Sequence, residues 1–229
     1  MNPTISQQTV DEALEDDEVS ARSEWLGLWR HDVESFIGAD ALEAVTIPGR
    51  TELPPIGSAS HFAFCDPAGG TGRDSFCATV GHREGDRVVQ DVLIEIRPPF
   101  DPDAAVQEIA GVLRRYGVSS VTGDRYAGAW PTSRFQAHGI TYRPAEMVRS
   151  DLYRNALPVI TAKRCELLDD ARMRRQWLSL DRTISRTGLE RIDANGGRRQ
   201  DDAANVTAGL LCMASRARTV AGTVKLTGF

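Results

Sequence analysis

The sequence predicts an α/β domain in which a mixed central β-sheet is flanked by helices. Three apolar segments with strand character follow one another between residues 61 and 96, separated by polar or glycine-rich loops. After residue 100, helical patterns alternate with short strand patterns. Consecutive strands favour an antiparallel meander and alternation favours parallel strands joined by crossover helices, so we expect both kinds of pairing in one sheet.

The first 57 residues are expected to lie outside this sheet. Residues 7–38 place apolar side chains at three- and four-residue spacing, which predicts an amphipathic helix. Residues 39–58 contain Pro48, Pro54 and Pro55 and are predicted to be a linker. We therefore expect a helical segment and linker over residues 1–57 and a compact domain over residues 58–229.

The three consecutive strands are predicted at residues 61–65, 75–82 and 87–96. The first strand runs into Asp66, and a glycine-rich loop follows it at residues 67–72.

The next helix has clear boundaries, with Asp101 as its N-cap, Pro102 in its first turn and Gly117 after its end. Beyond it, the patterns predict strands at residues 118–122 and 140–144, near Thr183 and at 189–192, and helices at 133–138, 151–163, 167–178 and from Asp201 to about residue 215.

Composition restricts the class of protein. The net charge of −5 combines an acidic first half with a basic second half, which weakly favours a polyanionic partner for the second half. The sequence has no apolar run long enough to cross a membrane and no signal-peptide pattern, so we expect a cytoplasmic protein. The four cysteines form no close pair and are expected to be buried thiols, and the four histidines show no zinc-ligand spacing.

Aspartates stand at the ends of several predicted elements. Asp66 ends the first strand, Asp124 follows the strand at residues 118–122, and Asp201 and Asp202 open the last helix. Parallel neighbouring strands bring their carboxyl ends to one edge of a sheet, where we expect these side chains to meet. Asp74, across the glycine-rich loop, is a weaker candidate.

Such a group of carboxylates is unfavourable unless a cation joins it, and oxygen ligands favour Mg²⁺ or Mn²⁺. Two such ions can activate a water molecule and stabilise the leaving oxygen of a phosphodiester. Each aspartate alone is also compatible with an ordinary turn or helix cap, and only their joint placement favours a metal site.

Three segments resemble the nuclease domain of phage large terminase subunits: HFAFCDPAGGTGRDSFCATVG at residues 61–81, GDRYAGAW at 123–130 and QDDAANVTAGL at 200–210. The segments CELLDD and LERIDAN are similar to that family in order and spacing. The resemblance implies an RNase H-like fold, two Mg²⁺ or Mn²⁺ ions and cleavage of double-stranded DNA during genome packaging. By motif, Asp66 and Asp124 match the first two metal ligands, and Asp201 or Asp202 matches the third.

The sequence departs from the family in two ways. Gln200 stands where the family often has histidine, which puts a role for that histidine in doubt. The chain has no phosphate-binding loop of the G-x-x-x-x-G-K-[ST] type, so no ATP site is expected. Residues 1–57 resemble the end of the terminase ATPase module, and we interpret the chain as the nuclease half of such a protein.

Phosphate contacts are expected from basic side chains near the aspartates. The candidates are Arg125, Lys163, Arg164, Arg198 and Arg199, and beyond them Arg172, Arg174 and Arg175. The resemblance also implies a terminase ATPase module, a small terminase subunit and a portal as partners.

Three other functions remain open. One is another nuclease of the same fold, of the resolvase or transposase type. Another is a packaging-assembly module without catalysis. The third is a phosphate binder like actin or sugar kinases, which Asp66-Pro67 and the glycines after them would suit, although the sequence shows no second phosphate loop.

Overall fold

A computed structural model describes residues 33–124, 130–184, 190–194 and 200–216. Its strands are β1 Val33–Ser35, β2 His61–Asp66, β3 Phe76–Glu84, β4 Arg87–Ile96, β5 Ser120–Gly123, β6 Thr141–Pro144, β7 Cys165–Glu166, β8 Leu180–Ile184 and β9 Glu190–Ala194. Its helices are α1 Ala39–Glu43, α2 Pro102–Arg115, α3 Trp130–Ala137, α4 Arg149–Thr161, α5 Ala171–Leu178 and α6 Asp202–Arg216. None of these helices is long and apolar enough to cross a membrane.

The predicted mixed sheet is confirmed, with six strands in the order β6-β5-β2-β3-β4-β7. Strands β2, β3 and β4 form the antiparallel meander, and β5, β6 and β7 join it by parallel pairing. Strand β7 was not predicted, because two residues are too few to show a period-2 pattern. The order places β2 and β5 side by side, which matters for the site below.

Helices cover both faces of the sheet. On one face α2 and α3 pack on a core that includes Phe76, Ile109 and Phe135. On the other face α4, α5 and α6 pack on a core that includes Phe64, Trp177 and Leu210. The α2 boundaries agree with the prediction, since the Asp101 carboxylate accepts a hydrogen bond from the Ala104 amide. All four cysteines are buried free thiols, as expected.

Helix α6 is the centre of the second layer and is buried on nearly all sides. Gly209 lets it approach β2 closely, because a Cβ atom there would lie 2.4 Å from the Phe64 ring. Gly81 of β3 does the same from the sheet side, since its Cβ would lie 2.8 Å from Leu210. This close packing fixes the position of the amino end of α6 relative to the sheet.

The described part of the first 57 residues differs from the prediction. Residues 33–35 form β1 rather than the end of a helix, and part of the predicted linker is the short helix α1. Phe36, Leu42 and Val45 belong to the same core as α6. Phe36 and Ile37, at the end of the predicted helix, are buried in this core, and the rest of that helix, residues 7–32, lies outside the described residues. The division of the chain at residue 57 stays a prediction.

A second, three-stranded antiparallel sheet has the order β1-β8-β9. It joins the N-terminal segment to the two strands predicted after residue 180. Strand β9 lies against α4, where Ser150 exchanges hydrogen bonds with the backbone of Ile192. This sheet therefore extends the domain on the side of the pocket described next.

Candidate active site

Two predicted aspartates lie at the same edge of the sheet. Strands β2 and β5 are parallel neighbours, with Cys65 opposite Gly123, so Asp66 and Asp124 leave the sheet together. The Asp124 amide donates a hydrogen bond to the Cys65 carbonyl, and the Tyr142 hydroxyl donates to the Asp124 carbonyl. The strand order thus produces the convergence expected from the sequence.

The amino end of α6 completes this edge with Asp201 and Asp202. Gln176 of α5 accepts hydrogen bonds from the Ala203 and Ala204 amides through its Oε1 atom, which holds the first turn in place. The Asp202 carboxylate accepts a hydrogen bond from the Ser75 amide at 2.9 Å. This hydrogen bond therefore joins the start of helix α6 to the loop before β3.

These aspartates line one pocket of about 710 Å³. Asp74 lines it as well, so the structure places all five predicted acidic residues around a single space. A sixth acidic residue, Asp193 of β9, lines the pocket and is 8% exposed. Sequence analysis did not name Asp193 as a site residue, although the LERIDAN segment quoted above contains it.

Arg149 lies between the carboxylates. It is the first residue of α4, and its guanidinium lies 3.0 Å from Asp201, 3.6 Å from Asp124 and 3.8 Å from Asp66. Burial alone would lower the pKa of Arg149, but the surrounding carboxylates, Asp201 foremost, raise it. Sequence analysis missed this residue, because a lone arginine before a helix carries no signal of a distant acidic partner.

Two further residues hold the aspartates in position. The Asn205 amide donates a hydrogen bond of 2.7 Å to Oδ2 of Asp66, and Asn205 Oδ1 is buried with no hydrogen-bond partner in the described ranges. The Tyr153 hydroxyl donates a hydrogen bond of 2.7 Å to Oδ2 of Asp201. Asn205 is part of a motif quoted above, but its contact with β2 depends on how α6 packs.

The carboxylates are hard to ionise in this setting. Burial raises the pKa of Asp66 to about 7 and that of Asp202 to about 6, and it also raises the pKa of Asp201. Hydrogen bonds from Asn205 and Ser75 and the charge of Arg149 oppose these shifts without cancelling them. A bound cation would relieve this cost.

No three of the five predicted aspartates bring carboxylate oxygens within 4.8 Å of one another. Arg149 accounts for this spacing, since its guanidinium occupies the gap. Its Nη2 atom contacts both Asp66 and Asp124, so a cation in its place would reach both with small side-chain movements. The donors available there are all oxygen atoms, which fits Mg²⁺ or Mn²⁺.

The predicted phosphate-binding residues are only partly accounted for. Lys163 and Arg164 precede β7, at the opposite end of the sheet, where the Arg164 carbonyl accepts a hydrogen bond from Val88. The structure does not bring these two residues to the pocket. Arg125, Arg198 and Arg199 lie outside the described residues. Arg172 is at the pocket rim, where it contacts Glu95 and donates to Gln200.

Known structures share this architecture. The large terminase nuclease from thermophilic phage G20c is 15% identical and aligns over 74% of this chain and 94% of its own, with a TM-score of 0.65. The same nuclease with bound cobalt and with bound magnesium aligns with TM-scores of 0.63 and 0.57, at 15% and 17% identity, over 75% of this chain and 94% of its own.

The HK97 bacteriophage large terminase is 11% identical, with a TM-score of 0.61. The alignment covers 93% of this chain and 52% of that protein.

The chain has the fold of a large terminase nuclease domain. The RNase H-like mixed sheet expected from the sequence is thereby confirmed. No family model and no curated protein matches the sequence. The chain spans about half the length of the HK97 terminase, so the activities of such a whole protein come to this chain only as proposals.

Proposed function

We propose that this domain is a divalent-metal-dependent endonuclease that cleaves double-stranded DNA during phage genome packaging. The observation that carries the proposal is the convergence of Asp66, Asp124 and Asp202 on one pocket of a terminase nuclease fold. Because a shared fold does not establish a shared reaction, the proposed chemistry rests on the oxygen donors of the pocket.

The donors suit Mg²⁺ or Mn²⁺, and the G20c nuclease has been seen with bound magnesium and bound cobalt. We propose that Asp66 and Asp124 share one ion and that Asp202, with Asp74, holds a second. Two bound ions would activate a water molecule and stabilise the leaving oxygen of a DNA phosphodiester.

The residues of the chain keep the ligands ready for this role. Asn205 fixes one oxygen of Asp66, and the Ser75 amide fixes one oxygen of Asp202, so that in the described structure the second oxygen of each carboxylate is available to an ion. Gln176 prevents the first turn of α6 from shifting. Raised pKa values at Asp66 and Asp202 mean that protons compete with metal ions below about pH 7.

The structure supports different roles for the paired aspartates of α6. Asp201 is as buried as Asp202 but is already bound by Tyr153 and Arg149, so we assign it to positioning Arg149. Within the described part of the chain, Asp202 accepts a hydrogen bond only from the Ser75 amide, and it lies close enough to Asp74 for the two charges to interact. We therefore propose Asp202 as the metal ligand of the pair.

Arg149 has a second task once metal is bound. Its side chain is 41% exposed and lines the pocket, so it can swing from the carboxylates towards a phosphate in the pocket. There it would neutralise charge on the scissile phosphodiester. Arg125, Arg198 and Arg199 remain proposals for binding DNA, as do an ATPase module, a small subunit and a portal as partners.

A plasmid-cleavage assay tests this function. Wild-type protein should convert supercoiled plasmid to nicked and linear forms with Mn²⁺ or Mg²⁺, and EDTA or Asp124→Ala should abolish the conversion. Asp86→Ala, in the exposed turn between β3 and β4, is the matched control and should cleave normally. Cleavage that survives EDTA or Asp124→Ala would overturn the proposal, as would a wild-type protein that is inert over a full range of both metals.

A further inference from the structure

A second cluster of metal-binding side chains lies at the other end of the central sheet. His61 starts β2, His82 is its direct partner on β3, and Asp91 is on β4. Each offers one ligand atom, and these three atoms lie within 4.8 Å of one another. His61 and Asp66 stand at opposite ends of β2, so the rise of a strand separates the cluster from the nuclease pocket by roughly 17 Å.

The hydrogen bonding of this cluster is incomplete. Nδ1 of His82 contacts both carboxylate oxygens of Asp91, at 2.8 and 2.9 Å. Nε2 of His61 points at the same carboxylate from 3.6 Å, which is too long for a hydrogen bond, and it has no other partner among the residues that the structure describes. The His61 side chain is only 4% exposed, so its Nε2 atom has little contact with bulk solvent.

The cluster also contains a buried negative charge. The Asp91 side chain is fully buried, and burial of a carboxylate is costly unless positive charge accompanies it. Two imidazoles and a carboxylate are a donor set that Zn²⁺ and similar transition ions prefer and Mg²⁺ does not.

We propose that His61, His82 and Asp91 form a transition-metal site, with Zn²⁺ as the best-fitting ion, that ties β2, β3 and β4 together. Histidine spacing did not predict a zinc site, because the ligands come from three strands rather than from one short motif. Access is available from one side, since His61 lines a second cavity of about 610 Å³ beside Tyr116. Glu84 Oε1 lies 3.3 Å from Nε2 of His82, on the other side of the ring from Asp91, so the fourth position of the site would be left to solvent from this cavity.

Metal binding in the presence of excess Mg²⁺ separates this site from the nuclease pocket. The metal-free wild-type protein should then bind about one Zn²⁺ per chain, and Co²⁺ in its place should give the intense visible absorption of a four-coordinate site. His61→Gln should lose both signals, because it removes a ligand that makes no hydrogen bond through Nε2. His138→Gln, the matched control outside the cluster, should keep both.

The proposal is wrong if wild-type protein binds no Zn²⁺ under these conditions, or if His61→Gln binds it as tightly as wild type. Circular dichroism checks the fold of both variants. X-ray absorption at the zinc edge of the wild-type protein identifies the ligand atoms of the zinc without the use of a variant. Two imidazole ligands would support the site, and a shell of oxygen ligands alone would overturn it.

Discussion

Replacing Asp66 by asparagine tests whether the buried carboxylate is held at a cost that a bound cation relieves. Burial raises the Asp66 pKa from 3.8 to about 7, and about three pKa units correspond to about 4 kcal/mol of folding free energy. Because the folded-state pKa is raised, this stabilising contribution is complete below about pH 4 and is lost as the pH rises through 7. Asparagine carries no charge and can still accept the hydrogen bond from Asn205.

Urea unfolding in EDTA between pH 4 and pH 8 measures this effect. We expect Asp66→Asn and wild type to be equally stable at pH 4, and the variant to be more stable by about 4 kcal/mol at pH 8. Saturating Mg²⁺ at pH 8 should stabilise wild type more than the variant, which keeps only the ion proposed beside Asp202. Asp86→Asn, in an exposed turn, is the control and should follow wild type. A variant no more stable than wild type at pH 8 would refute the reasoning.

Three further predictions concern the supports of the site. In EDTA, Arg149→Ala should lose more stability at pH 8 than at pH 5, because the facing carboxylates are then charged and unpaired; an equal loss at both pH values would contradict this. Gly209→Ala should cost about 1–3 kcal/mol in urea unfolding, since its Cβ would overlap the Phe64 ring. Gly111→Ala, which meets nothing within 4 Å on α2, should instead gain up to about 1 kcal/mol, and equal effects of the two changes would count against the packing argument. Gln176→Leu should cost about 1–3 kcal/mol by leaving the Ala203 and Ala204 amides without an acceptor, and plasmid cleavage should fall with it; unchanged stability would show that the cap is dispensable.

The central sheet was predictable because its signals are local. Strands β2, β3 and β4 show apolar runs between turns, and α2 has Asp101, Pro102 and Gly117 at its ends. Strand order then placed Asp66 beside Asp124 with no knowledge of side-chain contacts. Strand β7 and the β1 segment gave no such signal, since each is too short for a periodic pattern and is held by distant partners.

The supports of the site could not be predicted for a related reason. Arg149, Asn205 and Asp193 reach the pocket only through the packing of α4, α6 and β9, which brings together residues far apart in the sequence. The same holds for His61, His82 and Asp91, which share no short motif. Carboxylates at the ends of elements are visible in a sequence, whereas the cations and amides that face them are not.

Anomalous diffraction from crystals soaked in Mn²⁺ tests the central claim most directly. The account predicts a peak between Asp66 and Asp124, with Arg149 moved out of the gap that it occupies without metal. A second peak should lie beside Asp202 and not beside Asp201. A map with no peak at these carboxylates and with Arg149 still between them would contradict the proposed metal site.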